Sequence, residues 1–160
     1  MIIIGIDPGL SNTGWGVISS ECSKLSYIAS GTISSKADVP IALRLQQIYK
    51  ALSEAIDKYN PNYCAIEETF VNKNPLSSLK LGHARGAAML AAACFNVPVH
   101  EYASTRVKKA VVGVGRADKN QVQQMVKLLL PLSVITCEHA ADALAVAICH
   151  AGYARSFGIN

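Results

Sequence analysis

Three carboxylates and a histidine occupy positions from which they could bind a shared cation. Asp7 follows an apolar run at the N-terminus, and Glu67 ends a second apolar run. His139 and Asp142 are three residues apart, which places them on one face of a helix. Carboxylate oxygens suit Mg²⁺ and Mn²⁺, and two such ions together can promote hydrolysis of a phosphodiester. The residue types therefore favour a metal-dependent nuclease site.

Each of these residues also has an ordinary structural explanation. Asp7 precedes Pro8-Gly9, and Asp-Pro-Gly is good turn chemistry. Glu67 could be a surface carboxylate beyond the end of a strand. His139 and Asp142 could occupy the start of a helix, where capping and the helix dipole favour such residues. The spacing alone leaves both interpretations open.

The pattern of apolar residues predicts an α/β domain that would position these side chains. Short apolar runs bounded by turn residues predict strands at 2–6, 14–19, 25–31, 63–67 and 97–102. Spacings of three and four predict helices at 37–59, 77–95, 104–112, 118–130 and 138–153. The first three strands are close in sequence and are expected to pair antiparallel at one edge of a mixed sheet. Ligands of such sheets bind at the carboxyl ends of strands, where Asp7 and Glu67 are expected.

Three finer features accompany this prediction. The first long helix is expected to bury one stripe, made of Ile41, Leu45, Ile48, Leu52, Ala55 and Tyr59. Ser104 is expected to cap the third helix, and Asp118 with Gln121 is expected to form a capping box on the fourth.

Composition and charge narrow the class of protein. The chain has 160 residues, of which 51% are hydrophobic and 16% charged, so one compact domain is expected and wholesale disorder is not. Eight basic and two acidic residues lie between Lys73 and Lys119, whereas the remainder has seven basic and nine acidic residues. One half is thus electropositive, as expected of a nucleic-acid-binding protein, although a solvated basic surface would have the same composition.

The cysteines and the N-terminus bear on the compartment. There are five cysteines, none in a C-x-x-C pair, and Cys64, Cys94 and Cys149 lie in apolar runs. Buried free thiols in a reducing compartment are therefore expected, and a disulfide framework is not. The N-terminus has no signal-peptide pattern, and the apolar stretch 87–95 is too short to span a bilayer. The expected location is the cytoplasm.

An ordered set of motifs extends over residues 1 to about 153 and resembles the RuvC family of crossover junction endodeoxyribonucleases. The motifs are Gly5-Ile6-Asp7-Pro8-Gly9, Thr13-Gly14-Trp15-Gly16-Val17, Ala65-Ile66-Glu67, Asn72-Lys73-Asn74, Leu79 through Gly86, Val107-Lys108-Lys109 through Gly113, and Ala140 through Ala145. The resemblance implies an α/β, RNase H-like fold with a mixed five-stranded sheet and helices on both faces. It also implies one nuclease domain over residues 1–160.

The same resemblance implies a Holliday junction resolvase. Such an enzyme is a homodimer that uses Mg²⁺ to place paired, symmetric nicks across a four-way DNA junction during recombination and repair. The implied catalytic and metal-binding residues are Asp7, Glu67, His139 and Asp142, which would hold two ions. Many members have aspartate at the position of His139, and histidine favours Mn²⁺ as an accepted or preferred ion. The implied DNA-binding residues are Phe70, Lys73, Lys80, Arg85, Lys108 and Lys119.

Partners and a subunit contact follow from the resemblance too. The expected partners are a RuvA-like junction-binding protein and a RuvB-like branch-migration motor. Gly82 and Gly86 form a G-x-x-x-G pattern on the second helix, where backbones can approach closely. Packing within the chain would explain this pattern, but the resemblance favours a subunit interface.

Three other functions compete with this interpretation. An actin-like ATPase would need a second glycine-rich phosphate loop, and Gly113-x-Gly115 is too slight to serve. An RNase H-like nuclease that processes RNA lacks support because segment 72–86 fits the junction-cutting family. A DNA-binding module without catalysis remains open, because sequence cannot show that the acidic residues converge.

Overall fold

The computed structural model describes residues 1–22, 24–68, 74–135, 137–156 and 158, and its elements follow the predicted order. The strands are β1 (Ile2–Asp7), β2 (Asn12–Glu21), β3 (Lys24–Ser34), β4 (Tyr63–Glu67) and β5 (Val99–Tyr102). The helices are α1 (Ile41–Tyr59), α2 (Pro75–Cys94), α3 (Ser104–Val112), α4 (Lys119–Leu129) and α5 (Glu138–Ser156). None of the described helices combines the length and apolar character needed to cross a membrane.

The five strands form a mixed sheet in the order β3-β2-β1-β4-β5. β1 pairs antiparallel with β2, and β2 pairs antiparallel with β3, whereas β4 runs parallel to β1 and β5 parallel to β4. The predicted sheet with three antiparallel strands is confirmed. Ile6 pairs with Ile66 across β1 and β4. Since these parallel strands end at the same edge, Asp7 and Glu67 follow directly as neighbours.

Helices cover both faces of the sheet, and strand alternation decides which side chains meet which helices. Ile4 and Ile6 pack with α1 and α2, whereas Ile3 packs with α3, α4 and α5. Gly5 lies on the side of Ile3 and contacts α5. The same alternation carries Asp7 to the α5 side of the sheet, where Asp142 is found.

Helix α5 lies very close to the sheet because the strands beneath it carry glycine. A Cβ atom on Gly5 would overlap the carbonyl oxygen of Ala143, and one on Gly14 would overlap that of His139. Twelve of the nineteen residues of this helix are buried, and most of these twelve are alanine. Small residues on both surfaces therefore fix the distance between α5 and the ends of β1 and β4.

The buried face of α1 differs from the predicted stripe. The helix begins at Ile41, after Pro40, and not at residue 37. Ile41 is 41% exposed, so its assignment to the buried stripe was wrong. The buried residues are Arg44, Ile48, Leu52, Ala55 and Ile56. Ile48, Leu52 and Ala55 are therefore buried as predicted, and in the first turn Arg44 is buried instead of Ile41.

Several local predictions were also wrong. β2 and β3 are longer than expected because their ladder continues to the pair Asn12 and Ser34. α2 begins two residues early because the Asn74 side chain accepts hydrogen bonds from backbone N–H groups of the first turn and Pro75 suits that turn. Ser104 does not cap α3, and Cys94 is exposed. The capping box of Asp118 and Gln121 is confirmed, as is the absence of disulfides among the five cysteines, all of which are described.

Candidate active site

A cavity of about 230 Å³ opens at the carboxyl edge of β1 and β4, between the sheet and helices α3, α4 and α5. All four predicted site residues line it, namely Asp7, Glu67, His139 and Asp142. Lys108 of α3 and Lys119, the first residue of α4, line it as well. Three separate parts of the fold thus bring acidic groups together, and two further helices add lysines.

Glu67 is oriented by a residue that the sequence analysis had assigned another task. Ser104 does not cap α3, and its hydroxyl instead lies near the Glu67 carboxylate, where it opposes the rise that burial causes in the pKa of Glu67. Glu68, the next acidic residue along the chain, is exposed and uses its backbone N–H to donate to the Tyr102 carbonyl at 2.9 Å. Only the first of the two adjacent glutamates therefore lines the cavity. A serine at the start of a helix gave no signal that distinguishes this role from capping.

Asp7 is held by its turn and by His139. Thr13, which is fully buried, donates from its hydroxyl to the Gly9 carbonyl at 2.6 Å and accepts from the Gly9 N–H at 3.3 Å. The Nδ1 atom of His139 lies 3.3 Å from Oδ2 of Asp7. A neutral imidazole that donates from Nδ1 keeps Nε2 as an acceptor, so His139 could orient Asp7 and still bind a cation.

The carboxylates of this cavity oppose one another's ionisation. Burial raises the pKa of Asp7 from 3.8 to about 6, with further contributions from the charges of Glu67 and Asp142 and a smaller opposing effect of His139. Burial also raises the pKa values of Glu67 and Asp142. Nearby acidic groups in a partly buried cavity are stabilised by a cation, which favours their charged forms.

The two lysines supply part of that positive charge. The Nζ atom of Lys119 lies 3.6 Å from Glu138 and 4.0 Å from Asp142. Lys108 and Lys119 both lower the pKa values of Glu67 and Asp142, although burial outweighs them. Both ammonium groups therefore lie where a phosphate beside the carboxylates would meet them.

The donor set suits a hard divalent cation, but in this arrangement its side chains do not all approach one common position. Among the described residues, no group of three or more His, Cys, Asp or Glu side chains encloses a single position. Carboxylates and one imidazole are nevertheless the ligand types that Mg²⁺ and Mn²⁺ accept. Side-chain rotation within the cavity would be needed for joint coordination.

The remaining predicted DNA-binding residues are spread over α2 and the segment before it. Lys80 lines a second cavity that adjoins the first at His139. Arg85 forms an ion pair with Glu101 of β5, so its guanidinium already has an anionic partner. Phe70 and Lys73 lie outside the described residues.

The sequence matches one family over most of its length. The family model for crossover junction endodeoxyribonuclease RuvC matches residues 3–150. A crossover junction endodeoxyribonuclease RuvC of Brucella anthropi is 51% identical over 154 residues, which cover 96% of this chain and 90% of that protein. Its counterpart in Methylorubrum extorquens is 49% identical over 158 residues, covering 99% and 84%.

Solved structures give the same grouping. The chain superimposes on T. thermophilus RuvC in complex with a Holliday junction substrate with a TM-score of 0.92 and 34% identity, covering 99% and 97% of the two chains. It superimposes on the yeast mitochondrial Holliday junction resolvase with a TM-score of 0.67 and 12% identity, covering 97% and 83%. At 12% identity the second match shows similarity of fold alone.

Proposed function

The chain belongs to the RuvC family of crossover junction endodeoxyribonucleases, and we propose that the acidic cavity is its nuclease centre. The protein is a Holliday junction resolvase with an RNase H-like fold, an endonuclease of homologous recombination and DNA repair. Enzymes of this family depend on a divalent metal. The observation that carries the assignment of the centre is the convergence of Asp7, Glu67 and Asp142 from three elements on one cavity.

Asp7, Glu67, His139 and Asp142 would hold two divalent cations, Mg²⁺ or Mn²⁺. Two ions bound there would supply activation of a water molecule and stabilisation of the leaving oxygen. The chain's own residues set the geometry of that site. Ser104 lies beside the Glu67 carboxylate and favours its charged form, and the hydrogen bond between His139 and Asp7 orients Asp7. His139 then either completes the ligand set through Nε2 or accepts a proton there.

Substrate binding is assigned to the basic side chains around this centre. Lys108 and Lys119 lie in the cavity itself and would contact the phosphodiester that is cut. Lys80 would contact the same strand farther along, and Phe70 and Lys73 remain predicted contacts near the junction centre. Arg85 would have to leave Glu101 to reach DNA, so its contribution is expected to be the smallest of the set.

The active assembly is proposed to be a homodimer. A four-way junction has a two-fold axis, and an isologous dimer presents two identical sites to equivalent phosphates. On α2, Leu79, His83, Gly86 and Leu90 share one exposed face, and a Cβ at Gly86 would meet no atom of its own chain within 4 Å. Packing within the chain therefore does not account for this glycine, which leaves it available to a second subunit. RuvA-like and RuvB-like proteins remain predicted partners, and the cytoplasm remains the predicted location.

Cleavage of defined substrates tests the proposal. Synthetic four-way junctions, linear duplexes and RNA–DNA hybrids would be incubated with the protein, with and without Mg²⁺ or Mn²⁺. We expect metal-dependent paired nicks in the junction only, and we expect Asp7→Asn to bind junctions without cutting them. Cutting of the hybrid would favour an RNA-processing enzyme, and binding without cutting by the wild type would favour a non-catalytic module. Near-normal cutting by Asp7→Asn would exclude the assigned centre.

A further inference from the structure

A second cavity of about 450 Å³ lies beside the proposed nuclease centre. It is formed by the β1–β2 turn, the start of α1 and the first turns of α2. His139 lines both cavities, so the two adjoin one another. The lining of the second cavity contains Arg44 and Lys80 and no aspartate or glutamate. Its electrostatic character is therefore opposite to that of the first.

Arg44 is the unusual member of this lining because it is only 7% exposed. Its Nε donates to the Ser35 hydroxyl at 2.8 Å, and its Nη2 lies 3.4 Å from the Ser11 hydroxyl. All eleven carboxylate side chains of the sequence belong to the described residues, and none of them forms an ion pair with Arg44. Two neutral hydroxyl groups are thus the only described partners of a buried guanidinium.

This arrangement suits Arg44 to binding an anion. A buried charge is costly unless it is paired, and two serine hydroxyls compensate a guanidinium only in part. A planar guanidinium presents several donors in a fixed fork, a geometry that matches phosphate oxygens. The first turn of α2 also borders the cavity, and the partial positive charge at a helix start favours an anion.

We propose that this second cavity binds a backbone phosphate that flanks the scissile phosphate in the cut strand, with Arg44 and Lys80 as its cationic ligands. The proposal rests on the proposed nuclease function and names the part of the substrate that this neighbouring site holds. Binding there would position the strand so that the next phosphate lies against the carboxylates. Arg44 is therefore a substrate-binding residue and does not take part in the chemical step.

Neutralising single phosphates tests this assignment. A series of four-way junctions would each carry one methylphosphonate in the cut strand near the crossover, and dissociation constants would be measured for the wild type and for Arg44→Met. For the wild type, we expect one flanking position to weaken binding about tenfold, as loss of a charge-assisted hydrogen bond would. In Arg44→Met, the unmodified junction should bind correspondingly less tightly, and the same methylphosphonate should have no further effect.

Two variants separate phosphate binding from a structural role. Ser35→Ala removes a hydroxyl partner of Arg44 but keeps the guanidinium, so the methylphosphonate at the flanking position should still weaken junction binding. Arg44→Lys keeps the charge, so the same methylphosphonate should weaken junction binding by part of the wild-type effect. If Arg44→Met does not fold, Lys80→Ala carries the same test, since its exposed side chain can be removed without affecting the core.

The outcomes distinguish this inference from the proposed function. If the wild type neither binds nor cuts junctions, the proposed function fails. If the wild type cuts junctions and no flanking methylphosphonate affects binding, the inference alone fails. If the variant that folds keeps the full position-specific loss, the phosphate is held by other residues and the inference also fails.

Discussion

At the scale of single residues, Asp7 lies in surroundings that oppose its own charge. Its pKa is raised to about 6, mainly by burial and then by Glu67 and Asp142. Between pH 4 and 6 the unfolded chain has released this proton and the folded chain retains it. Stability contributed by the protonated group is therefore lost as the pH rises through this window. At pH 7, the metal-free protein is therefore destabilised by the full free-energy cost of keeping the Asp7 carboxylate charged in this cavity.

Asp7→Asn should consequently make the metal-free protein more stable at pH 7, although we expect it to abolish cutting. Raising the pKa of Asp7 by about two units corresponds to at most about 3 kcal/mol in the free energy of unfolding. The weaker hydrogen bond between asparagine and His139 reduces this gain. Urea unfolding in EDTA at pH 4 and pH 7 would measure this, and the gain should be absent at pH 4. Equal gains at both values would show that charge is not the cause. Mn²⁺ should stabilise the wild type and not the variant.

His139 should influence the choice of metal. An imidazole suits Mn²⁺ better than Mg²⁺, whereas a carboxylate in its place adds a negative charge and a hard oxygen ligand. We expect the wild type to cut faster with Mn²⁺ than with Mg²⁺ and His139→Asp to narrow this difference. Single-turnover rates with each ion at equal concentration would measure it. If His139→Ala keeps most activity with both ions, His139 touches neither metal nor substrate.

The sequence predicted the acidic residues that line the candidate site but not the residues that lie against them. Asp7 and Glu67 were predictable because each ends an apolar strand. Ser104 was assigned to a cap because local sequence does not show that its hydroxyl faces Glu67 on another element. Arg44 was overlooked because a charged residue does not register in an apolar pattern, even where the fold buries it.

At the scale of elements, the height of α5 above the sheet decides where His139 and Asp142 lie. The helix rests on backbone at Gly5 and Gly14, with no side chain between. Strand order and the antiparallel edge were predictable from the short connections and the alternating pattern of apolar residues. The distance of α5 from the sheet was not predictable, because it depends on contacts between residues more than a hundred positions apart.

Gly14→Ala should displace the first turn of α5 and impair cutting more than binding. The added methyl group would overlap the His139 carbonyl, so the helix must move away from Asp7. We expect the single-turnover rate to fall by at least tenfold, with junction affinity changed less than threefold. Gly152→Ala is the matched control, because it lies on α5 with no atom within 4 Å of the new Cβ. It should leave the rate unchanged and stabilise the helix by about 0.5–1 kcal/mol. Equal rates for both variants would contradict the role given to this contact.

At the scale of the whole molecule, the exposed face of α2 should hold two subunits together. Leu79 and Leu90 are 58% and 56% exposed on either side of Gly86. Leu90→Lys should shift the protein towards monomer in sedimentation at micromolar concentration and should reduce paired nicks to single ones. Leu128→Lys, on α4 and 72% exposed, is the control and should remain dimeric. If both variants stay dimeric, the interface lies elsewhere.

The burial of α5 has a consequence for hydrogen exchange. Twelve of its nineteen residues are buried, so its amide protons should exchange only when the whole molecule opens. The cost of burying the Asp142 carboxylate then cannot be relieved by local opening of this helix, and it must affect the global opening equilibrium. A cation present at a hundredfold excess over its dissociation constant should slow exchange along α5 about a hundredfold. If the exchange rates in α5 are the same with and without bound metal, this helix opens independently of the rest of the fold.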